Sequence, residues 1–386
     1  MKYLFILGRN VELSIAEIKA FFEKERIRYT ILAKVSNSVM IEFEKPLKIP
    51  VSTSCRDAGI VKNPQEVSIV EKLGGTISIG EVLAEGKLEK LFKEIDSKEL
   101  YQGSSNKLNY VVFNFRGKDF VDVLLYLKTR FRNEKLKATE KKLTGNIKLQ
   151  SGEVVNSLAS HLVQEKYFVF ENMFGRIIET CDYQKIEKRD MEKPVRRESL
   201  SISPRLAKIL INLSGVRENE TLLDPFCGIG VVLQEALLQN INVIGIDKDK
   251  LAIENAETNL KWFNFNKSDY TLINSDSSKV KIREVKGIAT EPDLGELQKR
   301  NPSEQKAKEI LAGFELLMIK VLNNLKKNVH GKIAFTAPLI QTDKKKIVCD
   351  FENIAKKTGL KIVKGFPISE FREDSIVGRS ILVMEN

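Results

Sequence analysis

Asp224-Pro225-Phe226-Cys227-Gly228-Ile229-Gly230 is the stretch that decides the fold. It leaves an apolar run, Thr221 to Asp224, and leads into a second one with helical spacing, Val231 to Gln239. A strand that turns through two glycines into a helix brings backbone N–H groups close to a ligand at the helix amino terminus. Nineteen residues beyond Gly228, the next apolar run ends in Gly245-Ile246-Asp247. An acid at the end of a second strand is placed to accept hydrogen bonds from two ribose hydroxyls. Just upstream, Ser203-Pro204 has the form of an N-cap followed by proline at the first helical position, opening a helix over Arg205 to Leu213 that Ser214-Gly215 closes. Downstream, the pattern predicts strands over 242–247, 270–274, 287–290, 332–336, 361–365 and 379–384. Helices are predicted between them over 250–263, 303–326 and 346–359. This alternation predicts an α/β fold with a doubly wound, Rossmann-like parallel sheet that binds ligands at the carboxyl ends of its strands.

The first 180 residues have no such regularity. Short strands are predicted at 3–7, 39–43, 110–115, 167–170 and 176–179, with helices at 14–24 and 120–132, so this part reads as an α+β module. Residues 183–200 are charged, contain one proline and show no hydrophobic period, which marks a linker or extended interface segment. The expected organisation is therefore a module over 1–182, a linker over 183–200 and an α/β domain over 201–386.

Composition narrows the chemistry. The 386 residues are 42% hydrophobic and 30% charged, with a net charge of +11, which suits domains with real cores. No apolar run approaches the roughly 18 residues of a membrane span, and Met1 to Arg9 reads as a first strand rather than a leader, so a cytoplasmic protein is expected. The four cysteines (Cys55, Cys181, Cys227, Cys349) are far apart and there are only two histidines, His161 and His330. No zinc knuckle, disulfide framework or His-rich metal centre is expected, and the chemistry must need little proton shuttling by imidazole.

Residues 101–150 hold eleven basic groups against four acidic ones. Lys128, Arg130, Arg132, Lys141 and Lys142 lie within this stretch, with Tyr126 and Phe131 interleaved. Such a cluster can neutralise phosphates and release counterions, which suggests a polyanionic partner. A solvated helix face is the plainer alternative.

The glycine loop discriminates between cofactors. A dinucleotide site wants a third glycine, but the loop continues Val231-Val232-Leu233, and Asp224 would repel a pyrophosphate. A carboxylate there is compatible with a ligand carrying a sulfonium and an ammonium, which favours S-adenosylmethionine.

Asp224 to Gly230, followed by Gly245-Ile246-Asp247-Lys248-Asp249 and by Ala252 to Leu260, resembles class I methyltransferases. With Arg189-Asp190, Ser203 to Leu213 and the opening Tyr3 to Asn10, the chain more closely resembles the THUMP-domain tRNA guanosine-10 N2-methyltransferases. That resemblance implies a THUMP-containing module that docks tRNA, beside which the basic cluster would sit. It also implies a Rossmann-like domain that makes N2-methylguanosine. Carried over by motif, it assigns Asp224, Phe226, Gly228 and Gly230 to the methionine part of the cofactor, Asp247 to the ribose with Lys248 as its neighbour, and Asp276 and Ser277 to the adenine. A small zinc-containing activator protein, as some relatives use, is a possible partner.

The strip after the fourth strand departs from the family. Where the family has T-D-P-P-Y-G, this chain has Thr290-Glu291-Pro292-Asp293-Leu294-Gly295. The exocyclic amine of guanine is a poor nucleophile because its lone pair is delocalised. Glu291 and the Pro292 carbonyl can accept hydrogen bonds from both amine hydrogens and aim the nitrogen, and Asp293 competes for the same role. The family's aromatic residue is missing, and Phe226, Phe366 or Phe371 are candidates to replace its stacking face. A silent THUMP-type RNA binder, an amino-methyltransferase acting on DNA or rRNA, and a hydride-transferring oxidoreductase are the alternatives.

Overall fold

The computed structural model describes residues 1–8, 10–47, 68–141, 146–148, 154–156, 163–197, 202–294, 300–371 and 375–386. They form two compact units. The first comprises 1–11, 28–71 and 76–188, and the second 12–27, 72–75 and 189–386.

The first unit is built on an eight-stranded mixed sheet. Its order is Tyr29–Val35, Ser38–Phe43, Lys2–Leu7, Thr76–Glu85, Met173–Thr180, Glu165–Phe170, Lys107–Phe115 and Lys137–Glu140. Lys107–Phe115 runs parallel to both its neighbours, and the other pairings are antiparallel. Helices Leu88–Asp96 and Phe120–Asn133 pack on it, with Tyr110, Phe131, Tyr167 and Phe174 buried together. Each such aromatic contributes about 1.5–3 kcal/mol by leaving water.

The second unit is a parallel sheet with antiparallel strands at one edge. Its main strands are β1 (Thr221–Asp224), β2 (Asn242–Asp247), β3 (Tyr270–Asn274), β4 (Gly287–Thr290), β5 (Ile333–Gln341), β6 (Lys361–Ile362) and β7 (Val377–Glu385). Their order is 3-2-1-4-5-7-6, with β7 antiparallel to β5 and β6. Strand order reverses beside β1, and in such sheets the crevice there takes the ligand. The buried faces are near-continuous apolar runs, as a sheet covered on both sides requires. Ser203 caps the helix Pro204–Leu213 by accepting from the Leu206 N–H at 3.2 Å.

Three local readings change. Helix 346–359 is instead a short strand, Lys346–Val348, paired with β5, followed by a helix over Phe351–Thr358 that Asp350 caps. The capping carboxylate offers the backbone a start that pure hydrophobic spacing does not reveal. Residues 183–192 of the expected linker form a helix, with Asp182 accepting from the Lys185 N–H and Ile186 buried.

The third change concerns helix Val11–Lys24, which packs in the second unit from residue 12 onward. Its Glu17 is fully buried and accepts from the Gly74 and Gly75 N–H groups, each at 2.7 Å, and from Asn212 Nδ2 at 2.8 Å. Burial pushes the Glu17 carboxyl up, and those hydrogen bonds oppose the shift. Lys24 Nζ donates to Asn212 Oδ1 at 2.8 Å, and burial lowers its pKa to about 8. A buried acid is tolerable only when so satisfied, which ties the helix to partners nearly 200 residues away.

Candidate active site

The carboxyl ends of β1, β2 and β4 meet around one cleft. It encloses about 430 Å³, part of it open to solvent, and Arg197, Asp224, Phe226, Gly228 and Glu291 are among its lining residues.

The glycine loop forms the floor. Gly228 and Gly230 have φ of +50° and +88°, so both positions need glycine, and Gly230 starts the helix Val231–Leu237. No atom lies within 4 Å of where a Gly228 side chain would begin, which leaves the loop's surface open to a ligand. The Gly228 N–H donates to Asp247 Oδ2 at 2.9 Å, and the Asp249 N–H donates to Oδ1 at 2.9 Å. Asp247 therefore holds the loop and its own strand end in register while its half-buried carboxylate stays beside the cleft. Asn274 Nδ2 donates to the carbonyls of Asp247 and Lys248, both at 3.0 Å, while the Lys248 side chain is exposed.

Asp224 is 2% exposed and accepts from the Thr290 hydroxyl at 2.5 Å and the Phe226 N–H at 3.1 Å. Burial pushes its pKa up to about 7. Those two hydrogen bonds oppose the rise, and the charges of Asp247 and Glu291 add to it. An uncompensated buried acid beside an open loop is suited to a cationic ligand.

The other sequence-derived cofactor residues split. Ser277 is buried and its hydroxyl donates to the Pro225 carbonyl at 2.5 Å, so it fastens the loop after β3 to the loop after β1. Asp276 is exposed and caps its own turn, accepting from the Ser278 N–H at 2.9 Å. Arg197 went unnoticed in the sequence. It lines the cleft and bonds Asp249 Oδ2 at 3.2 Å, which holds that carboxyl below its usual range.

The strip after β4 shows what was legible and what was missed. Glu291 lines the cleft, Pro292 is buried, and Asp293 is exposed. Gly295 lies outside the described residues. Arg379 on β7, which no motif flagged, donates through Nε to Glu291 Oε1 at 2.6 Å and through Nη2 to Oε2 at 3.4 Å. The Thr336 hydroxyl on β5 also reaches Oε1, at 3.3 Å. Of the three aromatic candidates, Phe226 lines the cleft. Phe366 is packed against the apolar clusters on both faces of the sheet, and Phe371 lies under the Lys346 ammonium, 3.8 Å from its ring centre.

Residues 194–308 match the UPF0020 family model, described as an RMKL-like methyltransferase domain. That match spans the glycine loop, Asp247 and the strip after β4. The chain is 40% identical over 96 residues to a tRNA (guanine(10)-N2)-dimethyltransferase of Methanothermobacter thermautotrophicus, covering 25% of this chain and 28% of that protein. It is 26% identical over 303 residues to the protein of the same name from Pyrococcus abyssi, covering 76% of this chain and 78% of that one. Among solved structures, TrmN from Thermus thermophilus aligns over 100% of both chains at 13% identity, with a TM-score of 0.48.

In the first unit, the basic cluster divides. Arg130, on helix Phe120–Asn133, donates to the carbonyls of Ile95 and Lys98 and pairs with Glu134 at 2.9 Å. Its side chain is 12% exposed, so it fastens the helix to its neighbours. That corrects its reading as a phosphate contact. Lys128 pairs with Glu140 at 3.0 Å, Arg132 is exposed and Lys141 half-buried. Lys142 lies outside the described residues. Among the described residues no helix is long and apolar enough to cross a membrane, and no group of three or more His, Cys, Asp or Glu gathers to hold a metal.

Proposed function

We propose that the chain is an S-adenosylmethionine-dependent tRNA methyltransferase that acts on a guanine N2 amine. The observation that carries this reading is that Glu291 lines the same cleft as the open glycine loop and the buried Asp224. The residues fit the cofactor. Asp224 suits its cationic end, the space above Gly228 admits it closely, and Asp247 stands at the strand end where ribose hydroxyls are bound. Phe226, Gly230 and Lys248 complete that site, with Asp276 and Ser277 on the adenine side. S-adenosylmethionine, when bound, supplies a methyl carbon on a sulfonium.

The chain's own residues prepare the amine. Arg379 and Thr336 both engage Glu291 Oε1, while Oε2 makes, among the described residues, the longer 3.4 Å contact. Glu291 accepts one amine hydrogen through Oε2 and the Pro292 carbonyl accepts the other, which concentrates the lone pair on nitrogen. The sulfonium would supply the methyl group to N2 and leave as the neutral thioether, while the proton that N2 gives up would pass through Glu291 to solvent. The contribution is positioning and electrostatics, so imidazole is not required. The first unit acts as a THUMP-containing module that docks tRNA in the cytoplasm, with Lys128, Arg132 and Lys141 toward the phosphates.

The test is mass spectrometry of tRNA nucleosides after incubating the purified chain with unmodified tRNA and S-adenosylmethionine. N2-methylated guanosine is expected, and turnover by the chain alone also shows that no activator is needed. Methylation of a different base, or of DNA or rRNA in preference, would overturn the reading.

A further inference from the structure

Arg379 lies on β7, two strands from β4, and reaches over β5 to the start of the strip after β4. Its side-chain hydrogen bonds among the described residues are the two to Glu291, made by Nε and Nη2. A guanidinium carries five N–H donors in a rigid plane, and these bonds engage two of them, with the Glu370 charge also acting on the group. The side chain is 30% exposed, against 10% for Glu291. Oε2 of Glu291, with its longer contact, therefore stands as an acceptor beside the remaining guanidinium donors. The Watson–Crick edge of guanine carries the complementary series, with N2–H and N1–H as donors and O6 as the acceptor next to them. Adenine presents one donor and a ring-nitrogen acceptor there and cannot satisfy the same order.

We propose that Arg379 is a specificity residue that donates to O6 of the target guanine while Glu291 accepts from the amine edge through Oε2. This rests on the guanine-amine reading above and extends it from the reacting nitrogen to the recognition of the whole edge. The Glu291 for Asp or Asn exchange in the strip then has a structural counterpart. The longer acid reaches a cation two strands along the sheet, and the pair replaces a lone amine acceptor with a reader of both signs. A site built to hydrogen-bond a substrate group rejects an analogue lacking it, because its own buried groups are left unpaired.

The test uses synthetic tRNA in which the methylated guanosine, once mapped, is replaced by 6-thioguanosine. That base keeps N1–H and N2–H but presents sulfur, a poor acceptor, in place of O6. Wild type should prefer the oxygen substrate by about tenfold in kcat/KM. Arg379→Met should be slower on both substrates and lose the preference, with a ratio near one. If that variant is too slow to assay, Arg379→Lys keeps a cation against Glu291 and should cut the preference at least about threefold. Calorimetry with S-adenosylhomocysteine should give affinities within about twofold of wild type, showing that the variants fold. A preference that survives unchanged in the variants overturns the proposal and leaves Arg379 as a holder of Glu291. No preference in wild type overturns it too. Absence of any guanosine methylation by wild type defeats the guanine reading itself, and is told apart because the oxygen substrate then gives no rate.

Discussion

The ends of β1 and β4 lie side by side, and each carries an acid into one cleft under different terms. Among the described residues the hydrogen-bond partners of Asp224 are neutral, a hydroxyl and an N–H, and burial carries its pKa up to about 7. Glu291, also largely covered, has a guanidinium against it. The Thr290 hydroxyl that serves Asp224 belongs to the residue just before Glu291, so the two environments differ across a single peptide. The first acid lacks a counter-charge that a cationic ligand can bring. The second already has a cation against it. Burial alone does not assign a carboxylate its task; the charge of its neighbours does.

The largest expected effect tests the second acid. Glu291→Gln keeps an acceptor but loses the charge that offsets the developing positive nitrogen. Methyl transfer should fall by about a hundredfold while cofactor and tRNA still bind. Asp293→Ala should leave turnover near wild type, since that side chain is exposed. The reverse outcome would move the role to Asp293 and erase the contrast.

Next in size is Asp247→Ala. Two ribose hydroxyls lose a charged acceptor, and the Gly228 and Asp249 N–H groups lose the carboxylate that holds the loop. Cofactor binding should weaken by about 2–3 kcal/mol in calorimetry. Unchanged affinity would defeat the ribose assignment.

The first acid is tested by pH. Asp224 ionises as pH rises through about 7, and the ionised form is the one that holds a cation. Cofactor affinity should therefore rise up to about tenfold per pH unit below 7, and then level off. Asp224→Asn should flatten that profile. The free protein should respond in the opposite sense. The folded-state pKa lies above the unfolded one, so the stability contribution is full at about pH 4 and is lost as pH rises toward 7. Asp224→Asn should stabilise the free protein by about 1–3 kcal/mol at pH 8 and little at pH 4, as read by thermal melts. A profile flat in wild type would remove the difference between the two acids.

The smallest effect lies in the other unit and separates two arginines on one helix. Arg132→Ala with Lys141→Ala should reduce the salt slope of tRNA binding by about 0.7–0.9 per lost phosphate contact. Arg130→Met should leave the slope alone but destabilise its unit by about 1–3 kcal/mol, because two carbonyls lose a charged donor. Equal slopes and equal melting temperatures would show that neither residue does what its surroundings indicate.

How much was legible depended on the range of the interaction. The helix at Pro204, the glycine turn and the acid at Asp247 came from neighbours in sequence, because capping, positive φ and strand alternation are local rules. Helix 346–359 failed for the same reason turned around: Asp350 caps a helix that starts later than its apolar spacing suggests. The basic cluster was visible as composition, but charge counting cannot tell Arg130, spent on two carbonyls, from Arg132, left in water.

The sequence by itself determined that the second half would be a parallel α/β sheet with a loop open to a nucleotide-like cofactor. Hydrophobic period and glycine placement are written residue by residue, and the backbone has few ways to obey them. Only the tertiary structure decided that Glu17 would bind Asn212 and enlist an early helix in the second unit, and that Arg379 would reach Glu291 across β5. Buried charges must find partners wherever the fold brings them, and sequence separations of 195 and 88 residues leave no local trace of which partner that is.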